Sequence, residues 1–332
     1  MFKYNIRMKR IFFSFLFLVF VTTLWAQVSF VSVVDVDSHT KKEDFFHTFE
    51  YYIIPEKGQV TKCQATRVGR KWFATAAHCV RTACTGSCTL RLDLLEYPTS
   101  VFLDVTHTDK KKHVFVHPKY NPKVPASHDF ALLKIDPAAA RRRYYRRPPE
   151  GSKGQNLLIS KQDFDAALAQ NALARRAYKE ALSPSLPPVL VFEDATREID
   201  RKLSVISIFD GKRSILKNPN PTHYVKELGF AYTQNFGVIK GMSGSGVMTN
   251  TGELAGIISG HLGVGNNKQY FMFTAFNKSL MEFMEEVMSS DYYKMERKSS
   301  VPNFVVRSKE NHEPIINAVR LLSQGNNTII MP

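Results

Sequence analysis

Short apolar runs separated by turn residues dominate the chain between Phe45 and Leu133. They read as strands over residues 49–54, 59–68, 71–76, 90–95, 101–106 and 114–116. Many short strands at such spacing predict an all-β barrel or sandwich. The pattern then breaks. Residues 138–149 carry five arginines and end in Pro148-Pro149, so the arginine-rich insert of about 138–155 reads as a solvated connector. Its other reading is a docking patch for an anionic surface or polyanion. Phe164, Ala167, Leu168, Ala174, Tyr178, Ala181 and Leu182 recur at helical spacing after the cap-like Ser160-Lys161-Gln162-Asp163. The spacing predicts a helix over 161–182, stopped at Ser183-Pro184. Strand-like runs resume over 188–192, 203–209, 230–232, 237–239, 247–248, 254–259 and 270–276. A helix over 279–288, capped by Ser279 with Glu282, presents Leu280, Phe283, Met284 and Val287 on one face. Residues 291–332 read as a tail, and no internal repeat stands out.

The first residues carry a different signal. Lys3, Arg7, Lys9 and Arg10 precede an apolar run over 11–25, and Ala26 supplies a small residue for cleavage. This reads as a signal peptide over 1–26, followed by a polar lead-in over 27–44. An uncleaved membrane anchor is the competing reading. Export then predicts a secreted or periplasmic protein. Removing residues 1–26 lowers the formal charge from +15 to +11, so the mature chain stays basic. Such a field favours anionic partners without naming one. No nucleic-acid recognition motif accompanies it, and nucleic acid is not expected as a partner.

Four cysteines, Cys63, Cys79, Cys84 and Cys88, form an even set in an exported chain and suggest two disulfides. Three pairings are open. Cys63 with Cys79 would tie a strand to the turn after His78, and Cys84 with Cys88 would close a small loop. Zinc is the competing reading, although two Cys-x-x-Cys pairs are lacking.

Chemistry concentrates at three places. His78 follows the apolar run Trp72-Phe73-Ala74, Asp129 precedes Phe130-Ala131-Leu132-Leu133, and Ser243 sits within Gly241-Met242-Ser243-Gly244-Ser245-Gly246. Serine is a poor nucleophile until an imidazole accepts its proton, and a carboxylate must fix that imidazole's tautomer. The amides of Gly241 and Ser243 are candidate donors to a developing oxyanion. The order His, Asp, Ser excludes an α/β-hydrolase, which runs Ser, acid, His around Gly-x-Ser-x-Gly.

These segments resemble the chymotrypsin-like (trypsin-fold) serine peptidases. The likeness rests on Phe73-Ala-Thr-Ala-Ala-His78-Cys79, His128-Asp129-Phe-Ala-Leu-Leu133, Gly241-Met-Ser243-Gly-Ser and Gly256-Ile-Ile-Ser259-Gly260. It spans about residues 45–290. It implies two six-stranded antiparallel β-barrels with the active site in the cleft between them, plus a carboxy-terminal helix. His78 would be the general base, Asp129 its orienter and Ser243 the nucleophile. Cys63 and Cys79 match the family's disulfide around the histidine loop. Ser259 and Gly260 resemble the segment that pairs with substrate backbone as an added strand. Gly237 and Val238 would floor the specificity pocket, Lys240 would stand at its rim, and His261 reads as a loop histidine within reach of it. No acidic residue stands there, which argues against a preference for Lys or Arg. Glutamate, glutamine or a medium apolar residue fits better.

The departures matter. Met242 stands where zymogen-type members carry an Asp that pairs with a newly cut amino terminus. The Gly-Met-Ser-Gly-Ser form is closer to bacterial glutamyl-endopeptidase-like or viral members. No cofactor is implied. Three readings follow: an exported endopeptidase acting on proteins or peptides, a degenerate protease scaffold that binds anionic partners, and an esterase.

Overall fold

The computed structural model describes residues 47–81, 87–94, 99–107, 112–124, 126–146, 157–172, 175, 178–179, 190–192, 203–209, 212–218, 220, 222–225, 228–235, 237–249, 253–264, 268–288 and 297–299. All lie in one compact unit spanning Val34–Pro332. The expected signal peptide and lead-in fall outside them, as does Cys84.

The chain is mostly β, with two large sheets and few helices. The first sheet collects β1 (Thr48–Pro55), β2 (Thr61–Arg67), β3 (Trp72–Thr75), β4 (Cys88–Asp93), β5 (Thr99–His107), β6 (Val114–Val116), β7 (Ala131–Lys134), β8 (Arg141–Arg146) and β9 (Leu157–Ile159). Their spatial order is β6-β7-β3-β2-β1-β4-β5-β8-β9, antiparallel throughout. The second sheet holds β11 (Leu203–Phe209), β12 (Lys212–Lys217), β13 (Thr222–Val225), β14 (Phe230–Gln234), β15 (Gly246–Thr249), β16 (Leu254–Val264) and β17 (Lys268–Ala275) in the order β12-β11-β15-β16-β17-β14-β13. β10 (Leu190–Phe192) pairs in parallel with both β16 and β18 (Arg297–Ser299). The helices are α1 (Ala77–Arg81), α2 (Lys161–Ala169) and α3 (Lys278–Met288).

Each sheet therefore has nine strands where six were expected. The first gains β7, beyond the six runs read from the sequence, and β8 with β9, because the arginine run is a strand rather than a connector. Arg143 pairs with the buried Asp104 of β5, and Tyr144 packs on Phe164 of α2. A strand places alternate residues on opposite faces, so one run can serve both an ion pair and a packing contact. In the second sheet, residues 237–239 form no strand, while β12 and β13 were not anticipated. Part of the expected tail, Arg297–Ser299, is in a strand.

Two helix ends also differ. The Ser160 hydroxyl accepts from the Asp163 amide as the cap pattern suggested, but α2 stops at Ala169. Gln170 forms its carboxy-terminal cap and Asn171 interrupts the run. At α3 the cap is Asn277, whose Oδ1 accepts from Leu280 N at 3.0 Å, and not Ser279. Asn277 lies one residue before the helix, the position from which a side chain reaches the third amide.

Alternation along β3 and β7 positions the site. Phe73, Ala131 and Leu133 enter the core of the first sheet with Phe49, Tyr51, Ile53, Leu90 and Leu103. Trp72, Ala74, Phe130 and Leu132 face the other way. They meet Ile206, Ile215, Met248, Leu254 and Ile257 of the second sheet and Phe276, Leu280 and Met284 at α3. Burying each large aliphatic side chain there contributes about 1.5–3 kcal/mol. This shared core clamps the two sheets together at the strands that carry the candidate base and acid.

Candidate active site

β3 and β7 are hydrogen-bonded neighbours with Thr75 opposite Ala131. His78 leaves the end of β3 in α1, and Asp129 enters just before β7. Pairing the two strands thus brings together two residues 51 positions apart. His78 Nδ1 lies 2.7 Å from Asp129 Oδ2, and the His78 amide donates to Oδ1 at 2.8 Å. Asp129 arrives through a tight turn in which Ala126 and His128 hold positive φ values of 63° and 48°. Such non-glycine conformations cost on the order of 1–3 kcal/mol each and persist only where surroundings enforce them. Here His128 N donates to Leu228 O, and the His128 ring stacks on His117 at 5.2 Å.

The Asp129 side chain is 2 % exposed and that of His78 14 %, so the carboxylate is sealed while the imidazole edge is reachable. Burial pushes the Asp129 carboxyl up. The charge and hydrogen bond of His78, the Ser259 hydroxyl and the His78 amide outweigh it and hold Asp129 below its ordinary range. Burial pulls His78 down, but the Asp129 charge and hydrogen bond leave the imidazole above its usual value. With Nδ1 donating to the carboxylate, Nε2 of neutral His78 is an acceptor. Among the described residues its one hydrogen-bonding neighbour is Cys79 Sγ at 3.5 Å, a disulfide sulfur without a proton.

Ser243 lies in the second of two consecutive turns. Met242 N donates to Ile239 O, and Ser245 N donates to Met242 O. The third residue of each turn, Gly241 or Gly244, has φ near +90°. A Cβ on Gly244 would meet Gln64 O at 1.7 Å, so only glycine permits this approach. The amides of Gly241 and Ser243 have no acceptor among the described residues. The Ser243 hydroxyl donates to Ser259 O at 3.3 Å rather than to His78, and Ser243 is fully buried.

Ser259, Gly260 and His261 lie on β16. The β16–β17 register shifts between Ile258 and Gly260. Such a bulge re-aims a side chain, and the Ser259 hydroxyl reaches Asp129 Oδ2. β15 pairs with β16 only as far as Ile257. Beyond Ile258, no described strand covers that edge of β16. His261 is on a strand, not in a loop; it is half-buried, and burial pulls its pKa down. Its Nδ1 is buried without a hydrogen-bond partner among the described residues. Gly237 and Val238 precede the serine turns, their amides held by Asn235 Oδ1. Val238 is buried and Lys240 exposed.

Cys63 and Cys79 are bonded to each other. Their sulfurs and His78 lie within 4.8 Å of one another, but the disulfide consumes both thiolates that a metal would need. Cys88 is buried and disulfide-bonded.

One polar residue at the site has no sequence signal. Gln64, in β2, lies 2 % exposed between the two sheets and bonds to residues on either side of Ser243. A single glutamine beside a cysteine in a strand carries no motif.

The trypsin family model matches residues 52–162 of the chain. Among solved structures, HL collagenase is 16% identical, covers 74% of this chain and 94% of its own, and has a TM-score of 0.44. A Glu endopeptidase is 13% identical over 77% of this chain and 95% of its own, with a TM-score of 0.43. A thermostable serine protease, AL20, from an extremophilic microorganism is 10% identical over 75% and 99%, with a TM-score of 0.44. No curated protein sequence matches the chain.

Proposed function

We propose that the chain is a chymotrypsin-like serine peptidase, an exported endopeptidase that cuts peptide bonds through an acyl-enzyme on Ser243. The observation that carries this reading is the His78–Asp129 pair. The carboxylate takes Nδ1 and the His78 amide with separate oxygens, which leaves Nε2 as the proton-accepting atom of the neutral ring. A peptide carbonyl entering there would draw the Ser243 hydroxyl from Ser259 O to Nε2. The oxygen then attacks as His78 accepts its proton. The amides of Gly241 and Ser243 receive the oxyanion, and protonated His78 returns the proton to the leaving amine. The disulfide Cys63–Cys79 suits an exported protein, and the signal peptide read over 1–26 supplies the route.

The open edge of β16 at Ser259–His261 suits an extended peptide added as a strand. Gly237 and Val238 would floor the side-chain pocket, with Lys240 at the rim. His261 is half-buried, and burial favours its neutral form. It would accept a hydrogen bond from a glutamine or protonated acid, so the preference is Glu/Gln or a medium apolar residue. A second reading, a protease scaffold used for binding, draws on one observation: the Ser243 hydroxyl is turned to Ser259 O and has no exposed surface.

The test is covalent labelling of the mature protein with a fluorophosphonate and mapping of the modified peptide. Labelling at Ser243 that vanishes in His78→Ala supports the peptidase. A folded protein that stays unlabelled favours the binding scaffold.

A further inference from the structure

Every polar group of the Gln64 side chain engages the serine turns or the strand behind them. Its Nε2 donates to Gly241 O at 3.1 Å and to Ile208 O at 2.9 Å. Its Oε1 accepts from Ser245 Oγ at 2.8 Å, Ile208 N at 2.9 Å and Ser207 Oγ at 3.1 Å. The main chain holds the same segment. Gln64 N donates to Ser243 O at 2.7 Å, and Gln64 O accepts from Thr75 Oγ1 at 2.8 Å. One residue of the first sheet therefore grips positions 241, 243 and 245 and ties them to β11 of the second.

The grip falls where packing cannot act. A Cβ on Gly241 would meet nothing within 4 Å, so that side of the residue is not held by packing. Its orientation is set by the turn bond from Met242 N to Ile239 O and by the Gln64 bond to its carbonyl. Met242 adds no charge. It is buried, and its Sδ accepts from Ile239 N at 3.4 Å. The ion pair that an aspartate would supply at this position is therefore absent by chemistry, and a neutral amide takes up the carbonyl instead.

We propose that Gln64 is a positioning residue that holds the Gly241 carbonyl, and through it aims the Gly241 and Ser243 amides at the developing oxyanion. The inference rests on the peptidase reading of Ser243. It makes the order of the turn a property of the folded chain, independent of any new charge.

The test uses Gln64→Met, which keeps the volume and removes the side-chain hydrogen bonds. Ser245→Ala removes one hydroxyl from the same network, and Gln64→Glu sets a carboxylate against two carbonyls. The readouts are thermal unfolding, deuterium uptake by the peptide covering 237–246, and phosphonylation of Ser243 by a fluorophosphonate. That reaction needs the nucleophile and oxyanion donors but no specificity pocket. In folded Gln64→Met the limiting inactivation rate should fall about 10- to 100-fold, less than the ~100- to 1000-fold typical for deleting a donor outright. The half-saturating reagent concentration should stay within about twofold, because binding is not what the turn supplies. Gln64→Glu should be no faster than Gln64→Met, and uptake over 237–246 should rise in both. Wild-type rates in folded Gln64→Met overturn the proposal. If Gln64→Met does not fold, Ser245→Ala decides: a several-fold slower rate supports the network, and an unchanged one overturns it. If the wild-type protein itself fails to label, the peptidase reading falls separately. Deuterium uptake then still judges Gln64, and unchanged uptake in the variants rejects it.

Discussion

The Ser259 hydroxyl donates to Asp129 Oδ2, the same oxygen that faces His78 Nδ1. A bulge in β16 makes this possible, and the carboxylate thereby gains a third donor inside a sealed pocket. Hydrogen bonds to charged groups are worth about 1.5–3 kcal/mol. Part of that energy holds the carboxylate ionised and aimed at the imidazole. Ser259→Ala should therefore fold and lower kcat by roughly tenfold, within what one such bond can supply. KM should change little, because the hydroxyl points to the acid and not to the open strand edge. Steady-state kinetics on a peptide substrate reads both numbers; an unchanged kcat would mean that the two donors of His78 suffice.

The pH profile follows from the direction of the His78 shift. Burial lowers its proton affinity, and Asp129 raises it by more, so the net pKa is above 6.5. The base works only when neutral. Activity should then be lost as pH falls through a value above the ordinary histidine range, and kcat/KM of the free enzyme reports it. Replacing Asp129 with Asn removes the raising influence and orients the imidazole wrongly, so turnover should fall about 10⁴-fold with the fold intact. A pH–rate series on both proteins checks both statements.

The residue types of the site were legible because each sits beside a regular strand. His78 after Trp72-Phe73-Ala74 and Asp129 before Ala131-Leu132-Leu133 mark the ends of β3 and β7, and two paired strands bring their ends together. Gln64 was invisible because its partners are main-chain carbonyls and serines more than 140 positions away. β8 was hidden for a related reason: its charge is balanced by Asp104 on a strand distant in sequence. The cap of α3 was misjudged by two residues, since Asn277 and Ser279 are both capping types and only geometry separates them. That cap also bears on the Asn277-Lys-Ser279 sequon. Asn277 Nδ2 donates to Tyr224 OH at 2.9 Å and the residue is buried, so the folded protein offers no acceptor there.

Two glycines of the serine turns should respond differently to the same change. Gly241 and Gly244 share a φ near +90°. Alanine at Gly241 meets no atom, and the conformational penalty alone is about 1–2 kcal/mol. Alanine at Gly244 would overlap the Gln64 carbonyl, which is main chain and cannot move aside. Gly241→Ala should fold with a slightly lowered Tm, whereas Gly244→Ala should unfold or fail to accumulate. Thermal unfolding of the two proteins side by side is the measurement, and similar Tm values would contradict the close approach.

The stacked pair His117–His128 sets an acid limit on stability. Burial, then the neighbouring His128 and Lys119 charges, push His117 down to about 4, against a hydrogen bond to the Ser279 backbone. The unfolded chain binds that proton near pH 6.5. Between those values the unfolded state holds more protons, so stability falls as pH drops from about 6.5 towards 4. His117→Phe retains the ring packed on Phe283 and removes the titration. Its Tm should decline less steeply over that window, with a residual slope from His128, whose pKa is also lowered. Parallel slopes in both proteins would place the acid sensitivity elsewhere.

The disulfide Cys63–Cys79 links the two working parts of the first sheet. Cys63 precedes Gln64 in β2, and Cys79 follows His78 in α1. Closing a loop of 16 residues restricts the unfolded chain by about 3 kcal/mol on the chain-entropy account. For a domain of this size that corresponds to a Tm loss of roughly 6–12 °C. Reduction should also slow labelling of Ser243 in the folded state, since the bond joins the neighbour of Gln64, which holds the Ser243 turns, to the neighbour of His78, the proposed base. Cys63→Ala with Cys79→Ala, compared with the oxidised protein by calorimetry and by fluorophosphonate labelling, separates the two effects. A lowered Tm with wild-type labelling would confine the bond to stability, and a lowered rate at a temperature where the variant is fully folded would show that it also holds His78 and Gln64 in register.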